Sequence, residues 1–498
     1  MGVYAGVVSR PRGRWWLAGA LVCLCALLPT TEAAAKKPIV YVVVIDGLDG
    51  DAVEAGNAPF ISGLFEGTDG RGSYFPGSRS VIPAETNPNH TAMMTGALPG
   101  KSGIAANAFA MYAPLLNEDS CETTGPFDYS IMPSTTSGES PTCPRAETIF
   151  EAVRRQAGDR HPLTSVVMGK PKLGRIFDVT YKGERAADAL WAPCDDTPED
   201  DEYCDPDAPT NIITGYAEFD SVVMDEVVAQ IENGITVDGE QKRAKFTFVN
   251  LPMVDSVGHA LGRGALYDSF VGMADTEIER LADALKASGE WERSAIIVAS
   301  DHSMDTTPTK VSLTGEIEGA GVPSDAFSVV QNGSVDFVYL ADRKAPRAER
   351  DELLATMREA ILGATGVNET LYRKRNRADG DKANTIRKVH PDWSAGKRTG
   401  DIVATSDVGV AFSEPNLLGN PLNGNHGAPQ TEDNFMSVVG GWPKIKTGTV
   451  DGDSARALIR NNDIASTVMG LFGLEAPKEN VGSPIKAAFK RGALRKRR

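Results

Sequence analysis

The most constraining feature of the sequence is a long apolar run that stops abruptly at an acidic turn. Lys37 to Ile45 is continuous and rich in β-branched residues, the pattern of a strand buried on both faces of a parallel sheet. The run ends at Asp46-Gly47. Ligands of open α/β sheets bind at the carboxyl ends of the strands, so Asp46 is a candidate metal ligand. Taken alone, Asp-Gly also fits an ordinary turn.

Two further apolar runs end in the same kind of turn. Ala244 to Leu251 is followed by Asp255 and His259, and Ser294 to Ala299 is followed by Ser300 and then Asp301-His302. Helical patterns lie between the runs, at Ala58 to Leu64, Ser221 to Asn233 and Asp275 to Ser288. This alternation predicts an α/β fold, a three-layer α/β/α sandwich around a mostly parallel central sheet. Loop-rich insertions are predicted near residues 111–216 and 335–400.

Carboxylates and histidines are concentrated at these strand ends. The chain has only six histidines, and a polar, glycine-bearing loop contributes a third one to the set, His426. Carboxylate oxygen and imidazole nitrogen suit zinc or a similar divalent ion. Three of each could hold two ions about 4 Å apart, as in two-metal phosphoryl transfer. Each residue by itself fits a structural role equally well.

Thr86 lies where a helix is predicted to begin. A short strand is predicted over Ser78 to Pro83, and a helix from Pro88 to Met94 with Asn87 as its N-cap. The Thr86 hydroxyl would then lie near free backbone N–H groups that favour an anion.

The amino terminus has the pattern of a signal peptide over residues 1–35. Three arginines precede a short apolar segment, Trp15 to Leu28, and small residues follow it. The segment is short for a transmembrane helix, and an uncleaved anchor is the alternative. An exported protein without a transmembrane domain, periplasmic or secreted, is therefore expected. The domain prediction is a catalytic domain over residues 36–485 and a basic, solvated tail over 486–498.

Four cysteines remain after that segment, in two local pairs. An oxidising compartment would favour the disulfides Cys121–Cys143 and Cys194–Cys204, and free thiols are the alternative. The formal net charge of -16 argues against a protein that binds a nucleic-acid scaffold.

The motifs resemble those of the alkaline phosphatase superfamily, most closely its type I phosphodiesterase/nucleotide pyrophosphatase branch. They follow the family's order along nearly the whole mature chain. The matching motifs are Ile45-Asp46-Gly47, Thr86-Asn87-Pro88-Asn89-His90-Thr91 with Thr95-Gly96, Gly103-Ile104 with Asn107, Asp255 with Gly258-His259, Ser300-Asp301-His302-Ser303-Met304, and Asn425-His426-Gly427. Two positions depart from the family: Ser303 replaces a glycine and Val254 replaces a proline, and both leave the ligands in place.

The resemblance implies two zinc ions, or similar divalent ions, each held by three side chains. The implied ligand sets are Asp46, Asp301 and His302 for one ion, which also contacts Thr86, and Asp255, His259 and His426 for the other. It further implies that Thr86 is the nucleophile and forms a phosphothreonine that is then hydrolysed. Asn107 would donate to a phosphoryl oxygen, helped by the N–H of Thr86 or Asn87. His90 is expected to brace the loop.

Lys170-Pro171-Lys172 resembles a Lys-x-Lys pair in monoesterase and phosphonoacetate-hydrolase relatives. In an extended segment, residues two apart point the same way, so both ammonium groups could reach one substrate. They would favour a dianionic phosphoryl group or a carboxylate over a diester. A solvated loop is the alternative for both lysines.

The resemblance therefore implies an exported two-zinc phosphohydrolase that cleaves phosphodiester or nucleotide pyrophosphate bonds of a small phosphorylated substrate. Alternatives on the same scaffold are a phosphomonoesterase and a phosphonoacetate-hydrolase-like enzyme. A phosphoethanolamine transferase is less favoured because no membrane domain is present. A catalytically dead exported binding protein would be expected to lack a ligand, and none is missing. The leaving group and the oligomeric state stay open.

Overall fold

Strands and helices alternate along the residues that the structure, a computed structural model, describes: 37–109, 144–192, 214–380, 383–396, 398–414, 420–450 and 458–494. The predicted signal peptide and all four cysteines of the predicted disulfides lie outside these residues. The strands are β1 (Ile39–Ile45), β2 (Arg71–Tyr74), β3 (Thr164–Met168), β4 (Thr180–Tyr181), β5 (Glu184–Arg185), β6 (Ala189–Trp191), β7 (Ile235–Val237), β8 (Glu240–Lys242), β9 (Phe246–Leu251), β10 (Ser294–Ala299), β11 (Asp305–Thr306), β12 (Thr309–Val311), β13 (Phe327–Val330), β14 (Val335–Leu340), β15 (Val367–Tyr372), β16 (Ile402–Ser406), β17 (Val410–Phe412), β18 (Gly424–Asn425), β19 (Met436–Gly440) and β20 (Gly448–Thr449).

The α-helices range from one turn to 23 residues. They are α1 (Gly50–Ala52), α2 (Pro59–Glu66), α3 (Thr86–Thr95), α4 (Pro99–Ser102), α5 (Ile149–Ala157), α6 (Pro171–Phe177), α7 (Thr214–Asn233), α8 (Met253–Leu261), α9 (Ala265–Ala287), α10 (Leu313–Gly319), α11 (Arg347–Gly363), α12 (Ile386–Val389) and α13 (Asp463–Phe472). Among the described helices, none combines the length and apolar character needed to cross a bilayer.

The largest sheet has eight strands in the order β20-β2-β19-β10-β1-β9-β3-β6. Its centre is parallel: β1 pairs with both β10 and β9, and β3 pairs with β9 and β6. Only β19 runs antiparallel to its neighbours, β10 and β2. The structure confirms the predicted mostly parallel sheet.

Helices cover both faces of this sheet. Every residue of β1 is buried, and alternate residues belong to different cores. Val40, Val42 and Val44 pack with α3, α5, α6 and α13, whereas Tyr41 and Val43 pack with α2, α7, α8 and α9. The continuous apolar run of β1 is thus explained by burial on two sides, and the sandwich has the three predicted layers.

A second, antiparallel sheet has the strand order β13-β14-β16-β15. One face packs against α10 and α11. The other packs against residues that flank Thr86 and Asn107 in the sequence: Ile82, Ala84, Ala105, Ala106, Ala108 and Phe109. Inside the loop-rich insertion near residues 335–400, the sequence pattern predicts a strand over Val335 to Leu340 and a helix over Ala348 to Leu362. The structure has these as β14 and α11, but the sequence pattern does not predict β15. Polar residues interrupt the apolar pattern of β15, and pairing with β16 in the tertiary structure determines it.

Three predicted boundaries were wrong. Residues 78–83 form no strand; the Val81 N–H donates to the Asn89 side chain instead of a neighbouring strand, at 2.7 Å. Helix α3 begins at Thr86 with Glu85 as its N-cap, because Pro88 is tolerated within a first turn whose N–H groups have no partners in the helix. The sequence pattern also predicts a last helix over about Ser454 to Phe472, and Ser454 lies outside the described residues. Within residues 458–494 this helix begins at Asp463, whose side chain accepts from Arg460 N at 3.0 Å.

Candidate active site

Three acidic side chains meet at one edge of the central sheet. Asp46 directly follows β1, Asp301 lies two residues after β10, and Asp255 lies in the first turn of the helix that follows β9. Because β1, β9 and β10 are parallel neighbours, their carboxyl ends lie side by side. All three carboxylates are buried.

One group of donors forms around Asp255. Asp255 and His259 are four residues apart on α8 and share a helix face. His259 Nε2 lies 3.4 Å from Asp255 Oδ1 and 3.1 Å from His426 Nε2. His426, which follows β18, brings its Nε2 to 3.6 Å from the same carboxylate oxygen. These three residues are the second ligand set that the resemblance implies.

A second group forms beside the first around His302. Its Nε2 lies 3.6 Å from Asp46 Oδ1 and 3.3 Å from Asp301 Oδ2. The Thr86 hydroxyl is 3.3 Å from the same nitrogen. Because His302 Nε2 is also 3.9 Å from Asp255 Oδ1, the two groups adjoin. Thr86 therefore lies in the first turn of α3 with its oxygen facing the donors.

Each carboxylate has one oxygen that accepts a clear hydrogen bond and a second oxygen that is turned towards the centre of the site. The first oxygens accept from Asn250 (to Asp46 Oδ2, 2.9 Å), Lys170 (to Asp255 Oδ2, 2.7 Å) and Gly47 N (to Asp301 Oδ1, 3.0 Å). The second oxygens are Asp46 Oδ1, Asp255 Oδ1 and Asp301 Oδ2. Lys170 Nζ lies 2.9 Å from Asp46 Oδ1 and His90 Nδ1 lies 3.4 Å from Asp301 Oδ2, whereas Asp255 Oδ1 has no hydrogen-bond donor among the described residues. All three second oxygens face the histidines. Buried carboxylate oxygens without a donor fit bound cations.

The three histidines also turn one nitrogen inward. Their Nδ1 atoms contact backbone carbonyls: His259 with Gly424 O at 2.8 Å, His302 with Ser303 O at 3.1 Å, and His426 with Ala84 O at 3.1 Å. A proton on Nδ1 leaves Nε2 with a free lone pair, the arrangement of metal-binding histidines. Burial lowers the pKa of His259 and His426, which favours the neutral ligand form. The residues present thus fit two divalent cations.

Comparison with known families matches residues 40–429 to the model of type I phosphodiesterase/nucleotide pyrophosphatase. That match covers most of the 498 residues. The chain belongs to this family. A curated relative, ectonucleotide pyrophosphatase/phosphodiesterase 1 of Saccharomyces cerevisiae, is 20% identical over 327 residues. The match covers 61% of this chain and 40% of the relative, so the chain spans less than half of that protein's length.

Solved structures share the fold. Murine ectonucleotide pyrophosphatase/phosphodiesterase 5, as an inactive variant in complex with AMP, has a TM-score of 0.64 at 17% identity and covers 91% of this chain and 100% of its own. Phosphonoacetate hydrolase from Sinorhizobium meliloti, in complex with phosphonoformate, has a TM-score of 0.56 at 19% identity, over 86% of this chain and 95% of its own.

In this phosphodiesterase-family chain, His90 contacts residues that surround the two donor groups. Its Nδ1 lies 3.0 Å from Thr86 O and 3.4 Å from Asp301 Oδ2, and its Nε2 lies 3.1 Å from Asn250 Nδ2. Ligating atoms of Asp46, His90 and Asp301 also converge closely enough to hold a cation. Because both ring nitrogens already have protein partners, the contacts support the bracing role.

Asn107 is held against the first turn of α3, which also carries Thr86. Its Oδ1 accepts from the Asn87 N–H at 2.8 Å, which leaves its Nδ2 as the donor available to a substrate. The N–H of Thr86 or of Asn87 is expected to help Asn107 bind a phosphoryl oxygen. The Asn87 N–H already donates to Asn107 Oδ1. Asn107 is 8% exposed, enough to meet a ligand at the surface of the site.

Lys170 lies among the acidic residues rather than in a solvated loop. Its Nζ is 2.7 Å from Asp255 Oδ2 and 2.9 Å from Asp46 Oδ1. Burial alone would lower the pKa of Lys170, but Asp255, Asp46 and Asp301 together outweigh burial and raise it. The segment is not extended as expected: Lys170 is the N-cap of α6, and Lys172 lies in its first turn. Burial and then the Lys170 charge lower the pKa of Lys172 to about 8.

Two buried polar residues at the site were not found from the sequence. Asn250 is an amide residue in the mostly apolar strand β9, and its Nδ2 donates to Asp46 Oδ2. Glu85 precedes Thr86 and accepts the Asn107 N–H; burial raises the pKa of Glu85 to about 8. The sequence signal that could have identified Asn250 is an amide side chain within a mostly apolar run that is predicted to be buried.

Proposed function

We propose that this protein is an exported two-zinc phosphohydrolase that cleaves phosphodiester or nucleotide pyrophosphate bonds with Thr86 as the nucleophile. The observation that carries the proposal is the position of the Thr86 hydroxyl, 3.3 Å from His302 Nε2 at the border of the two donor groups. Membership of the type I phosphodiesterase/nucleotide pyrophosphatase family supports the same chemistry.

Each group of the chain has a role in this reaction. Asp46, Asp301 and His302 would hold one zinc ion, and Asp255, His259 and His426 the other. The two ions would supply positive charge at the attacking and leaving oxygens, and would lower the pKa of the Thr86 hydroxyl. Thr86 Oγ1 bonds to phosphorus as the leaving group departs, and water then cleaves the phosphothreonine. Asn107 Nδ2 would donate to a non-bridging phosphoryl oxygen.

A second candidate, a phosphomonoesterase or phosphonoacetate-hydrolase-like enzyme, is favoured by the lysines. The Lys170 ammonium contacts carboxylates of both donor groups. Burial and then the Lys170 charge lower the pKa of Lys172, so the two ammonium groups interact, and a pair of them beside the donor groups would suit a dianionic phosphoryl group or a carboxylate better than a singly charged diester. The AMP of the murine relative and the phosphonoformate of the hydrolase are both small phosphoryl or phosphonyl compounds, consistent with either candidate.

A comparison of four substrates tests the proposal. We would measure kcat/KM of the zinc-loaded protein for an aryl phosphate diester, its monoester, a nucleoside triphosphate and phosphonoacetate. Highest values for the diester or the triphosphate would support the first candidate. Highest values for the monoester or phosphonoacetate would support the second. A protein that turns over none of them would contradict both and favour a binding protein.

Export rests on the sequence pattern of residues 1–35. Fractionation of cells that produce the full chain, followed by amino-terminal sequencing of the mature protein, tests it. Recovery of the uncleaved chain in the cytoplasmic fraction would contradict it.

A further inference from the structure

The backbone on either side of Asn107 is held by two side chains that contact neither donor group directly. Glu85 Oε2 accepts the N–H of Asn107 itself. Asn332 accepts the N–H of Ala108 with Oδ1 at 2.7 Å and donates from Nδ2 to the carbonyl of Ala108 at 3.1 Å. The peptide units before and after the Asn107 side chain are therefore both fixed.

Asn332 is itself immobilised within the second sheet. It lies in the turn between β13 and β14, where the N–H groups of Asn332 and Gly333 donate to Asp336 Oδ1 at 2.7 and 3.2 Å. Asp336 is fully buried in β14. Because these hydrogen bonds fix the backbone of the turn, the Asn332 side-chain amide is held in one orientation. That orientation allows its two hydrogen bonds to Ala108.

Apolar packing holds the same two parts together. Ala106, Ala108 and Phe109 share one buried cluster with residues of the second sheet, including Val335 and Phe337. The Asn107 side chain is not part of this apolar cluster. Its Oδ1 accepts a hydrogen bond from the Asn87 N–H in α3. Its position relative to Thr86 is thus set by three neighbours: α3, Glu85 and the turn that carries Asn332.

We propose that Asn332 and Glu85 are positioning residues for Asn107. Through the Asn332 side chain, the second sheet then influences how Asn107 binds a phosphoryl group. The inference rests on the proposed function, because it assigns Asn107 Nδ2 to a phosphoryl oxygen. Without Asn332, the Ala108 peptide loses both partners and the Asn107 amide is free to shift. Misplacement of a positioned group by about 1 Å can cost about a hundredfold in rate.

A double-mutant cycle on the full chain tests the inference. Asn332→Ala is expected to lower kcat/KM for the preferred substrate by about 10- to 100-fold and to weaken calorimetric binding of inorganic phosphate. In an Asn107→Ala background, the same change should have almost no further effect, because its action passes through Asn107. A purely structural role would instead give effects that multiply.

Asn376→Ala is the matched control. Asn376 also accepts from backbone N–H groups, of Ala378 at 2.8 Å and Asp379 at 3.2 Å, and donates to the Asp351 carbonyl at 2.6 Å. It should lower stability without changing phosphate binding. If Asn332→Ala does not fold, the pair Glu85→Ala and Glu85→Gln replaces it; only Gln retains an acceptor for the Asn107 N–H and should restore binding.

The outcomes separate this inference from the proposed function. Normal turnover and phosphate binding in Asn332→Ala, alongside impaired Asn107→Ala, would overturn the inference alone. A parent protein that binds phosphate but hydrolyses none of the four substrates would overturn the proposed function, and phosphate binding in the variants would still decide the inference. A parent that neither binds nor hydrolyses would overturn both.

Discussion

Asp301 and His259 show how a donor residue at the site uses its two polar atoms differently. In Asp301, Oδ1 accepts from Gly47 N at 3.0 Å while Oδ2 faces His302. In His259, Nδ1 contacts Gly424 O at 2.8 Å while Nε2 faces Asp255. One atom fixes the side chain and the other is left for a ligand. Such fixed orientation reduces the reorganisation that binding a cation would require.

Loss of the Thr86 hydroxyl should abolish turnover but preserve the rest of the site. We expect Thr86→Ala to lose at least about a thousandfold in kcat, the scale seen when a nucleophile is removed. Its zinc content should stay near that of the parent, because six other donors remain. Thr86→Ser, which keeps a hydroxyl, is the control and should retain measurable turnover. Parent-like activity in Thr86→Ala would refute the nucleophile.

The lysines should set the preference between monoesters and diesters. We expect Lys172→Ala to lower kcat/KM for an aryl monoester roughly tenfold more than for the corresponding diester, since a charged hydrogen bond to the extra phosphoryl charge is lost. Lys170→Ala should act in the same direction. Lys245→Ala is the control, because Lys245 directly precedes β9 at the opposite end of that strand from Asp255. Equal effects on both substrates would argue against this role.

At the scale of elements, the turn after β1 brings two strands' ligands together. Gly47 has a φ of +70°, and its N–H and carbonyl bond to Asp301 and Tyr267. A Cβ on Gly47 would lie 2.9 Å from Asp255 Cα. Only glycine allows this approach between the end of β1 and the start of α8.

Gly47→Ala should therefore strain the backbone and, in addition, weaken the metal site. A left-handed conformation costs alanine about 1–2 kcal/mol, and displacement of Asp255 adds to this. Gly56→Ala is the matched control, because Gly56 has a φ of +92° and no described heavy atom lies within 4 Å of its Cβ. We expect a lower melting temperature in both variants and weaker zinc binding only in Gly47→Ala. Equal zinc affinity in the two would contradict the close approach.

At the scale of the whole molecule, the site joins parts that are far apart in the sequence. Asp46 lies near the beginning of the described chain and His426 in its last part, and Asp46 is one of three buried carboxylates that meet at the site. Burial raises the pKa of Asp46 to about 6, with the Asp301 charge as the next cause. Such a cluster repels itself unless cations balance it.

Removal of divalent ions should therefore lower the stability of the entire fold. Ligand binding to the native state alone contributes about 4 kcal/mol at a free concentration one thousand times Kd. We expect a chelator to lower the melting temperature and added zinc to restore it. His259→Ala should bind one ion rather than two, by elemental analysis, and should respond less to chelation. An unchanged ion count in His259→Ala would contradict the ligand set.

The sequence by itself determined the buried strands, the acidic and histidine-bearing turns that follow them, and hence the edge of the sheet where the site forms. These features are local: a continuous apolar run specifies burial on both faces, and parallel strands bring their carboxyl ends to one edge. The same local reasoning predicted a strand over residues 78–83, where the Asn89 side chain instead bonds to the N–H and the carbonyl of Val81.

Only the tertiary structure decided which atoms face each other. The contacts of Lys170 with both Asp46 and Asp255 depend on how α6 follows β3 beside β9. Asn332 reaches Ala108 across 224 positions of the sequence. No local pattern encodes such contacts, since they result from packing between elements whose separation along the chain carries no information about their distance in space.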